Sequence, residues 1–194
     1  GRSAMMRAPR RRSWLIGGVV AGVAAAAAGV GFALRNSRST QPAGAQAARV
    51  PAATQPAVDL WTMRFERPVG AELVMAELRG KPLLLNFWAT WCAPCVAEMP
   101  MLDQFQRDHA AQGWRVIGLA IDNADPVRDF VKRGKLEFAI GVLGFAGSEL
   151  ARELGNTAGA LPFSVVFDRA GQLQYRKLGA LKPEDLKTWV KAIA

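Results

Sequence analysis

Cysteine, histidine and tyrosine are scarce in this chain of 194 residues, which contains two cysteines, one histidine and one tyrosine. A small secreted scaffold held by several disulfide bridges needs more cysteines, and a structural zinc site needs four ligands, usually Cys or His. Both classes are therefore excluded within this chain. The composition is 51% hydrophobic and 21% charged, which also excludes a disordered or collagen-like protein. The length suits one domain of ordinary size with an additional segment.

Acidic residues are absent from residues 1–57, which carry eight arginines. Residues 58–194 carry the other 17 of the 25 basic residues and all 16 acidic residues, so this part is nearly neutral. The net charge of +9 thus comes from the N-terminal segment and does not indicate a basic patch on a folded surface. We expect no nucleic-acid partner.

The N-terminal segment has the order of charge and hydrophobicity that is typical of a membrane anchor. Residues 1–13 consist of a tag remnant and a basic n-region, and residues 14–34 contain no charged side chain. A helix of this length is about 30 Å long and can cross a bilayer. More arginines precede the span than follow it, which places the C-terminal part on the outer, periplasmic side. We predict a single-pass anchor in the inner (cytoplasmic) membrane, with a cleaved export signal as the alternative.

The composition changes again after the predicted span. Residues 35–57 are rich in Pro, Ala, Gln, Ser and Thr without apolar periodicity, which predicts a flexible linker. Residues 58–194 alternate apolar runs with amphipathic stretches. The patterns predict buried strands at 83–88 and 116–121, a hairpin of strands at 163–167 and 173–178, and helices starting near residues 93, 125, 148 and 183. This order predicts a three-layer α/β domain with a central mixed sheet.

Both cysteines fall in one short motif, Trp91-Cys92-Ala93-Pro94-Cys95. The motif lies where a predicted buried strand is followed by the N-terminus of a predicted helix. The unpaired amides and the dipole of a helix N-terminus stabilise a thiolate, which is the attacking species in thiol–disulfide exchange. We therefore predict that Cys92 is the nucleophile, that Cys95 resolves the mixed disulfide and that Pro94 stiffens the loop. This chemistry needs no dissociable cofactor.

Other interpretations of the cysteine pair are weaker. A structural disulfide over so short a loop gains little chain entropy. A zinc site within the chain lacks ligands, because His109 is the only histidine. Copper(I) held together with ligands from a partner protein is a second functional class, since soft thiolates favour that ion. No spaced Met or His cluster accompanies the pair to support it.

Glu98 follows Cys95 by three residues and lies with Met99 on the core-facing stripe of the predicted helix. Desolvation of a carboxyl group on that stripe raises its pKa toward neutrality, so Glu98 is predicted to transfer the proton of Cys95. The alternative is that Glu98 reaches solvent and only adds a favourable charge near the helix start.

The segment from Asn86 to Pro100, NFWATWCAPCVAEMP, resembles the thioredoxin superfamily, and in particular the TlpA/ResA-like membrane-anchored thiol-disulfide oxidoreductases of the bacterial envelope. The resemblance extends over residues 58–194 and implies a thioredoxin fold with a redox-active Cys92–Cys95 disulfide. It also implies that Pro162 is a cis-proline facing the disulfide. Client proteins are then expected to dock on a group of residues around the disulfide, namely Trp91, Ala93, Pro94, Leu161 and Pro162.

The resemblance has further implications for function. Thioredoxin carries a buried Asp where this chain has Asn86, whereas a Glu at the position of Glu98 is typical of the TlpA/ResA group. Members of that group generally reduce disulfides in client proteins and receive electrons from a membrane thiol transporter. Cytochrome c or copper-centre assembly is the expected process, although the segment before Pro162 lacks the acidic loop of the cytochrome c maturation type. A disulfide oxidase or isomerase of the same fold is the alternative.

Overall fold

The computed structural model of the protein describes residues 47–193. Within these residues the chain forms eight β-strands, which are β1 (Ala48–Arg49), β2 (Arg64–Phe65), β3 (Leu73–Val74), β4 (Leu83–Trp88), β5 (Arg115–Ala120), β6 (Ala139–Val142), β7 (Phe163–Phe167) and β8 (Leu173–Leu178). The α-helices are α1 (Ala93–His109), α2 (Ala124–Gly134), α3 (Gly147–Glu153) and α4 (Pro183–Ile193). Short 3-10 helices, such as Leu60–Thr62 and Met75–Leu78, connect some of these elements.

Six of the strands form one central sheet in the order β1-β8-β7-β4-β5-β6, and β2 pairs with β3 in a separate antiparallel ribbon. The β4–β5 and β5–β6 pairs are parallel, whereas β4–β7, β7–β8 and β1–β8 are antiparallel. The prediction of an α/β domain with a central mixed sheet is therefore confirmed.

Strand β4 is buried along its whole length because hydrophobic layers cover both faces of the sheet. Leu84 and Trp88 face a cluster that also contains buried residues of α1, α2 and α4. Leu85 and Phe87 face a second cluster that contains residues of α3 and of the N-terminal short elements. This alternation is the period-2 pattern of a strand between two layers, and it makes β4 a rigid support for the residues that follow it. Four tryptophans are buried in this core, namely Trp61, Trp88, Trp114 and Trp189.

The folded part begins earlier than the predicted boundary at residue 58. Strand β1 pairs with β8, and the backbone amide of the buried Val50 donates to the carbonyl of Gln174 at 2.8 Å. The side-chain amide of Gln55 donates to the carbonyl of Leu173 at 3.1 Å and accepts from the Leu173 amide at 2.7 Å. The prediction that residues 47–57 belong to a flexible linker is therefore wrong. A strand of two residues is too short to produce a hydrophobic period. The formation of β1 depends on pairing with β8, which the local sequence does not indicate.

Two further element predictions need correction. Strands β2, β3 and β6 are absent from the predicted elements, because they contain two to four residues each and show no clear alternation. The helix predicted to start near residue 125 begins at Ala124, with Asn123 in the N-cap position. Asp125 lies in the first turn and accepts a hydrogen bond from Arg128 at 2.6 Å.

The predicted n-region, the predicted membrane span at 14–34 and residues 35–46 of the predicted linker lie outside the described residues. Among the helices formed by residues 47–193, none combines the length and the apolar character that a bilayer crossing requires.

Candidate active site

The two cysteines lie at the junction between β4 and α1, as predicted. Strand β4 ends at Trp88, and Cys92 occupies the N-cap position of α1, with Pro94 in the first turn. Cys92 and Cys95 form a disulfide with an S–S distance of 2.05 Å. Cys92 has 6% of its surface exposed, whereas Cys95 is fully buried. Of the two cysteines, Cys92 is thus the one that retains contact with solvent.

The cis-proline segment lies at the same edge of the sheet. Strand β7 runs antiparallel to β4 with Phe163 opposite Phe87, so the start of β7 adjoins the end of β4. The Leu161–Pro162 peptide bond immediately before β7 is cis, as the resemblance implied. The carbonyl of Pro162 accepts a hydrogen bond from the Gly179 amide at 2.8 Å, which ties the segment to the end of β8.

The residues predicted to bind clients differ in exposure. Trp91 is 64% exposed and is one of the large hydrophobic side chains on the surface of the described part of the chain. Ala93 and Pro94 are also exposed, Leu161 is half-buried and Pro162 is buried. The β4–α1 turn and the segment before β7 together bring this apolar surface to the sheet edge that carries the disulfide.

Glu98 is buried, with 4% of its surface exposed, so the alternative in which it reaches solvent is wrong. Its Oε1 accepts a hydrogen bond from Asn86 Nδ2 at 2.8 Å, and its Oε2 accepts one from the Leu181 amide at 2.7 Å. Burial raises the pKa of Glu98 above its usual value, while the Leu181 and Asn86 hydrogen bonds and the positive charge of Lys177 act in the opposite direction. The direction agrees with the prediction from the helical stripe.

The polar side chains that surround Glu98 were not predicted from the sequence. Asn86 Nδ2 also donates to Ser164 Oγ at 3.0 Å, and both residues are completely buried. Lys177 is 1% exposed, and its Nζ donates to Asp185 Oδ2 at 2.5 Å. One signal was available, because Lys177 continues the inward-facing alternation of Leu173 and Tyr175 in β8, where a lysine is unexpected.

A second missed residue, Asp122, holds the turn that precedes Cys92. Asp122 follows β5 and is only 3% exposed. Its Oδ2 accepts hydrogen bonds from the Thr90 amide at 2.9 Å and from Thr90 Oγ1 at 2.5 Å, and its Oδ1 accepts one from the Asn123 amide at 2.7 Å. The carboxylate thereby fixes the backbone between β4 and the cysteine motif.

The part of the chain from residue 47 to residue 193 contains no group of three or more Cys, His, Asp or Glu side chains placed to hold a metal ion. His109 is the last residue of α1, and its ring packs against that of Phe105 with centroids 4.6 Å apart.

Comparison with known proteins identifies the family of this chain. Residues 47–193 match the Redoxin family. The chain belongs to the Redoxin family. It is 31% identical over 125 residues to the thiol-disulfide oxidoreductase ResA of Bacillus thuringiensis (strain Al Hakam), an alignment that covers 64% of this chain and 70% of ResA. It is also 30% identical over 141 residues to the sporulation thiol-disulfide oxidoreductase A of Bacillus subtilis (strain 168), with 71% of this chain and 82% of that protein covered.

A solved structure with the same fold is a thiol:disulfide interchange protein of the thioredoxin family from Chlorobium tepidum TLS. The TM-score is 0.59 at 26% sequence identity, and the alignment covers 68% of this chain and 92% of that protein. This Redoxin-family chain is thus a ResA-like member of the thioredoxin superfamily with a thioredoxin-like fold. It is a protein disulfide oxidoreductase with a cysteine pair.

Proposed function

We propose that this protein is an envelope reductant that opens disulfides in client proteins, with Cys92 as nucleophile, Cys95 as resolving cysteine and Glu98 as the group that exchanges the proton of Cys95. One observation carries the proposal. Cys92 occupies the N-cap position of α1 and retains 6% of its surface exposed, while Cys95 is 0% and Glu98 4% exposed within the next two turns of the helix. The helix N-terminus favours the Cys92 thiolate, and burial restricts Cys95 to attack on its neighbour.

The reaction transfers two electrons and two protons from the cysteine pair to the client. The Cys92 thiolate attacks one sulfur of the client disulfide, the client S–S bond breaks, and the departing sulfur takes up from water the proton that Cys92 had released. Cys95 then gives its proton to Glu98 and attacks the Cys92 sulfur. The mixed disulfide breaks, the second client sulfur takes the proton from Glu98, and the Cys92–Cys95 disulfide remains.

The environment of Glu98 suits this proton exchange. A free cysteine has a pKa of about 8.5, whereas a free glutamate has a pKa of about 4.3, so an exposed glutamate is a poor match for a thiol. Burial raises the pKa of Glu98 and brings the two groups closer together. Its position three residues after Cys95 places both side chains on one face of α1.

The exposed apolar side chain of Trp91, together with Ala93, Pro94 and the Leu161–Pro162 segment, provides the surface on which the client docks. Residues 14–34 anchor the protein in the inner membrane, and the arginines before this span keep the domain on the outer side. A membrane thiol transporter then regenerates the dithiol. Proteins that receive haem or copper at reduced cysteines are suitable clients.

The proposal is tested with the full chain in detergent. A reduction potential near −270 mV supports a reductant, whereas a value near −120 mV indicates a disulfide oxidant and contradicts the proposed direction. The variant Cys95→Ser should accumulate mixed disulfides with clients when the reduced protein is added to an oxidised envelope fraction. Cys92→Ser is the matched control and should trap no client. If Cys92→Ser traps clients and Cys95→Ser does not, the roles of the two thiols are reversed.

A further inference from the structure

A row of buried polar side chains crosses the sheet on the face that Glu98 contacts. Asn86 in β4 lies opposite Ser164 in β7, and Ser164 lies opposite Lys177 in β8. Directly opposite residues of antiparallel strands have Cβ atoms about 4.5–5.5 Å apart on the same face of the sheet. None of the three side chains is more than 1% exposed. The row thus leads from the amide that donates to Glu98 to a buried ammonium group.

Lys177 and Glu98 are also linked through the segment between β8 and α4. The Leu181 amide donates to Glu98 Oε2 at 2.7 Å, and the next amide along the chain, that of Lys182, donates to Asp185 Oδ2 at 2.8 Å. The same Asp185 oxygen accepts the hydrogen bond from Lys177 Nζ. Two carboxylates are therefore bound to consecutive backbone amides, and the Lys177 charge acts on both of them.

The position of Lys177 is costly for the fold. An ammonium group loses several kcal/mol of hydration free energy on burial, and replacing a buried ion pair by apolar side chains of similar volume is often neutral or stabilising. Tyr175, which precedes Lys177 on the same face of β8, packs in the hydrophobic cluster that also contains Trp88 and Trp189. Packing alone therefore does not account for a lysine at the end of the row opposite Asn86.

We propose that Lys177 is a positioning residue for thiol exchange, in which its ammonium group, held by Asp185, sets the electrostatic environment where Glu98 takes the proton of Cys95. This inference rests on the role proposed above for Glu98. The step is a proton transfer from Cys95 Sγ to a carboxylate oxygen of Glu98, and no electrons move in it. Because each carboxylate oxygen can accept more than one hydrogen bond, the Asn86 and Leu181 contacts leave room for this proton.

The charged and titratable groups that surround Glu98 come from three elements. Cys92 and Cys95 precede it on α1, Lys177 faces it from β8, and Asp185 belongs to α4 and holds Lys177. Loss of the Lys177 charge should make Glu98 harder to ionise. Loss of the Asp185 charge removes a negative neighbour of Lys177, so it should make Glu98 easier to ionise. The two variants therefore predict shifts of opposite sign.

The experiment follows the attack of Cys95 on Cys92 directly. The full chain is prepared with 5-thio-2-nitrobenzoate bound to Cys92 as a mixed disulfide, and the release of the coloured thiol is recorded as a function of pH. In Lys177→Met the rising part of the rate profile should move to higher pH, and in Asp185→Asn it should move to lower pH. We expect a change of about threefold to tenfold in rate at a fixed pH on that part of the profile, which corresponds to roughly half to one pH unit.

Three controls test whether the shifts come from the charges of Lys177 and Asp185 acting on Glu98. Lys177→Arg retains the positive charge and should restore the profile. Lys187→Met removes an exposed lysine of α4 and should leave the profile in place, because water screens its charge. In a Glu98→Gln background, neither Lys177→Met nor Asp185→Asn should shift the profile further.

The outcomes separate this inference from the proposed function. If Glu98→Gln alone leaves the profile of the wild-type protein unchanged, the proposed proton-exchange role of Glu98 is wrong, and the inference falls with it. If Glu98→Gln changes the profile while the Lys177 and Asp185 variants shift it in the same direction or not at all, only the inference about Lys177 is wrong. Asp185→Asn still gives the decisive sign if Lys177→Met does not fold, because the Asp185 side chain is 14% exposed and tolerates substitution better.

Discussion

Replacing Glu98 with glutamine should stabilise the oxidised protein at neutral and alkaline pH while it slows thiol exchange. Glutamine keeps the shape of the side chain and removes the charge. Its carbonyl oxygen can still accept from the Leu181 amide, and its amide group can donate to Asn86 if the Asn86 amide turns over. Asn86 Oδ1 is available for this purpose, because it is buried and has no hydrogen-bond partner among the described residues. Turning the Asn86 amide takes its Nδ2 away from Ser164 Oγ, so the loss of that hydrogen bond offsets part of the desolvation cost that the substitution removes.

The size of the effect follows from proton linkage. Burial raises the pKa of Glu98 in the folded protein, whereas a glutamate in the unfolded chain keeps a pKa of about 4.3. As pH rises from that value through the folded pKa, the unfolded state releases a proton that the folded state retains. The free energy of unfolding of the wild type therefore falls by about 1.4 kcal/mol per pH unit in this window and is constant above it. The glutamine of the variant does not titrate, so the advantage of the variant grows by the same amount, equivalent to about 3–6 °C in Tm per pH unit.

The assay is thermal or urea unfolding of both oxidised proteins across pH, followed by tryptophan fluorescence. The oxidised form is used because the disulfide-bonded cysteines do not titrate. The matched control is Glu153→Gln, which changes an exposed glutamate at the end of α3 and should alter the free energy of unfolding by less than about 0.5 kcal/mol at every pH. A difference between Glu98→Gln and the wild type that does not vary with pH would refute the reasoning.

Three further substitutions test other parts of the site. Asp122→Ala removes both hydrogen bonds to Thr90 and should lower the free energy of unfolding by about 2–4 kcal/mol. Thiol exchange should also become slower, because the turn before the cysteine motif loosens. A change of less than about 0.5 kcal/mol in urea unfolding would contradict this prediction. Gly118→Ala places a Cβ 2.6 Å from Ile140 Cδ1 and should cost about 1–3 kcal/mol, so an unchanged Tm would show that β6 adjusts freely. Trp91→Ala should leave the unfolding free energy within about 0.5 kcal/mol, because the side chain is 64% exposed, while it weakens client capture; undiminished capture places the docking surface elsewhere.

The parts of the fold that could be predicted are those whose own residues carry a period. Strand β4 contains six consecutive buried residues, and α4 repeats its apolar residues at helical spacing, so each element is visible without its neighbours. Strands β1 and β6 are defined by their partners instead. Their two and four residues gain structure from pairing with β8 and β5, and that pairing has no local signature in the sequence.

The same distinction applies to the site. Cys92, Cys95 and Glu98 lie within seven residues of one helix, so helical spacing is sufficient to group them. Asp122 reaches Thr90 across 32 residues, and Lys177 joins the environment of Glu98 only through the register of β7 and β8. A shift of that register by one residue would turn Lys177 to the opposite face, so its role depends on a property of the whole sheet.

The hydrogen-bonding capacity of Asn86 explains why an amide on β4 suits a carboxyl group, that of Glu98, on α1. Two carboxyl groups at this distance would repel each other, and their titrations would be coupled. An amide can instead donate to Glu98 when the carboxyl group is ionised, and it can accept from Glu98 through the unpartnered Oδ1 when the group is protonated. Asn86 thus offers Glu98 a hydrogen bond in both states of the proton exchange, so the Glu98 carboxyl group keeps a partner when its charge changes inside the core. An Asn86→Asp variant would lose this property, because a second ionised carboxylate repels Glu98 at the moment when the proton of Cys95 has to leave.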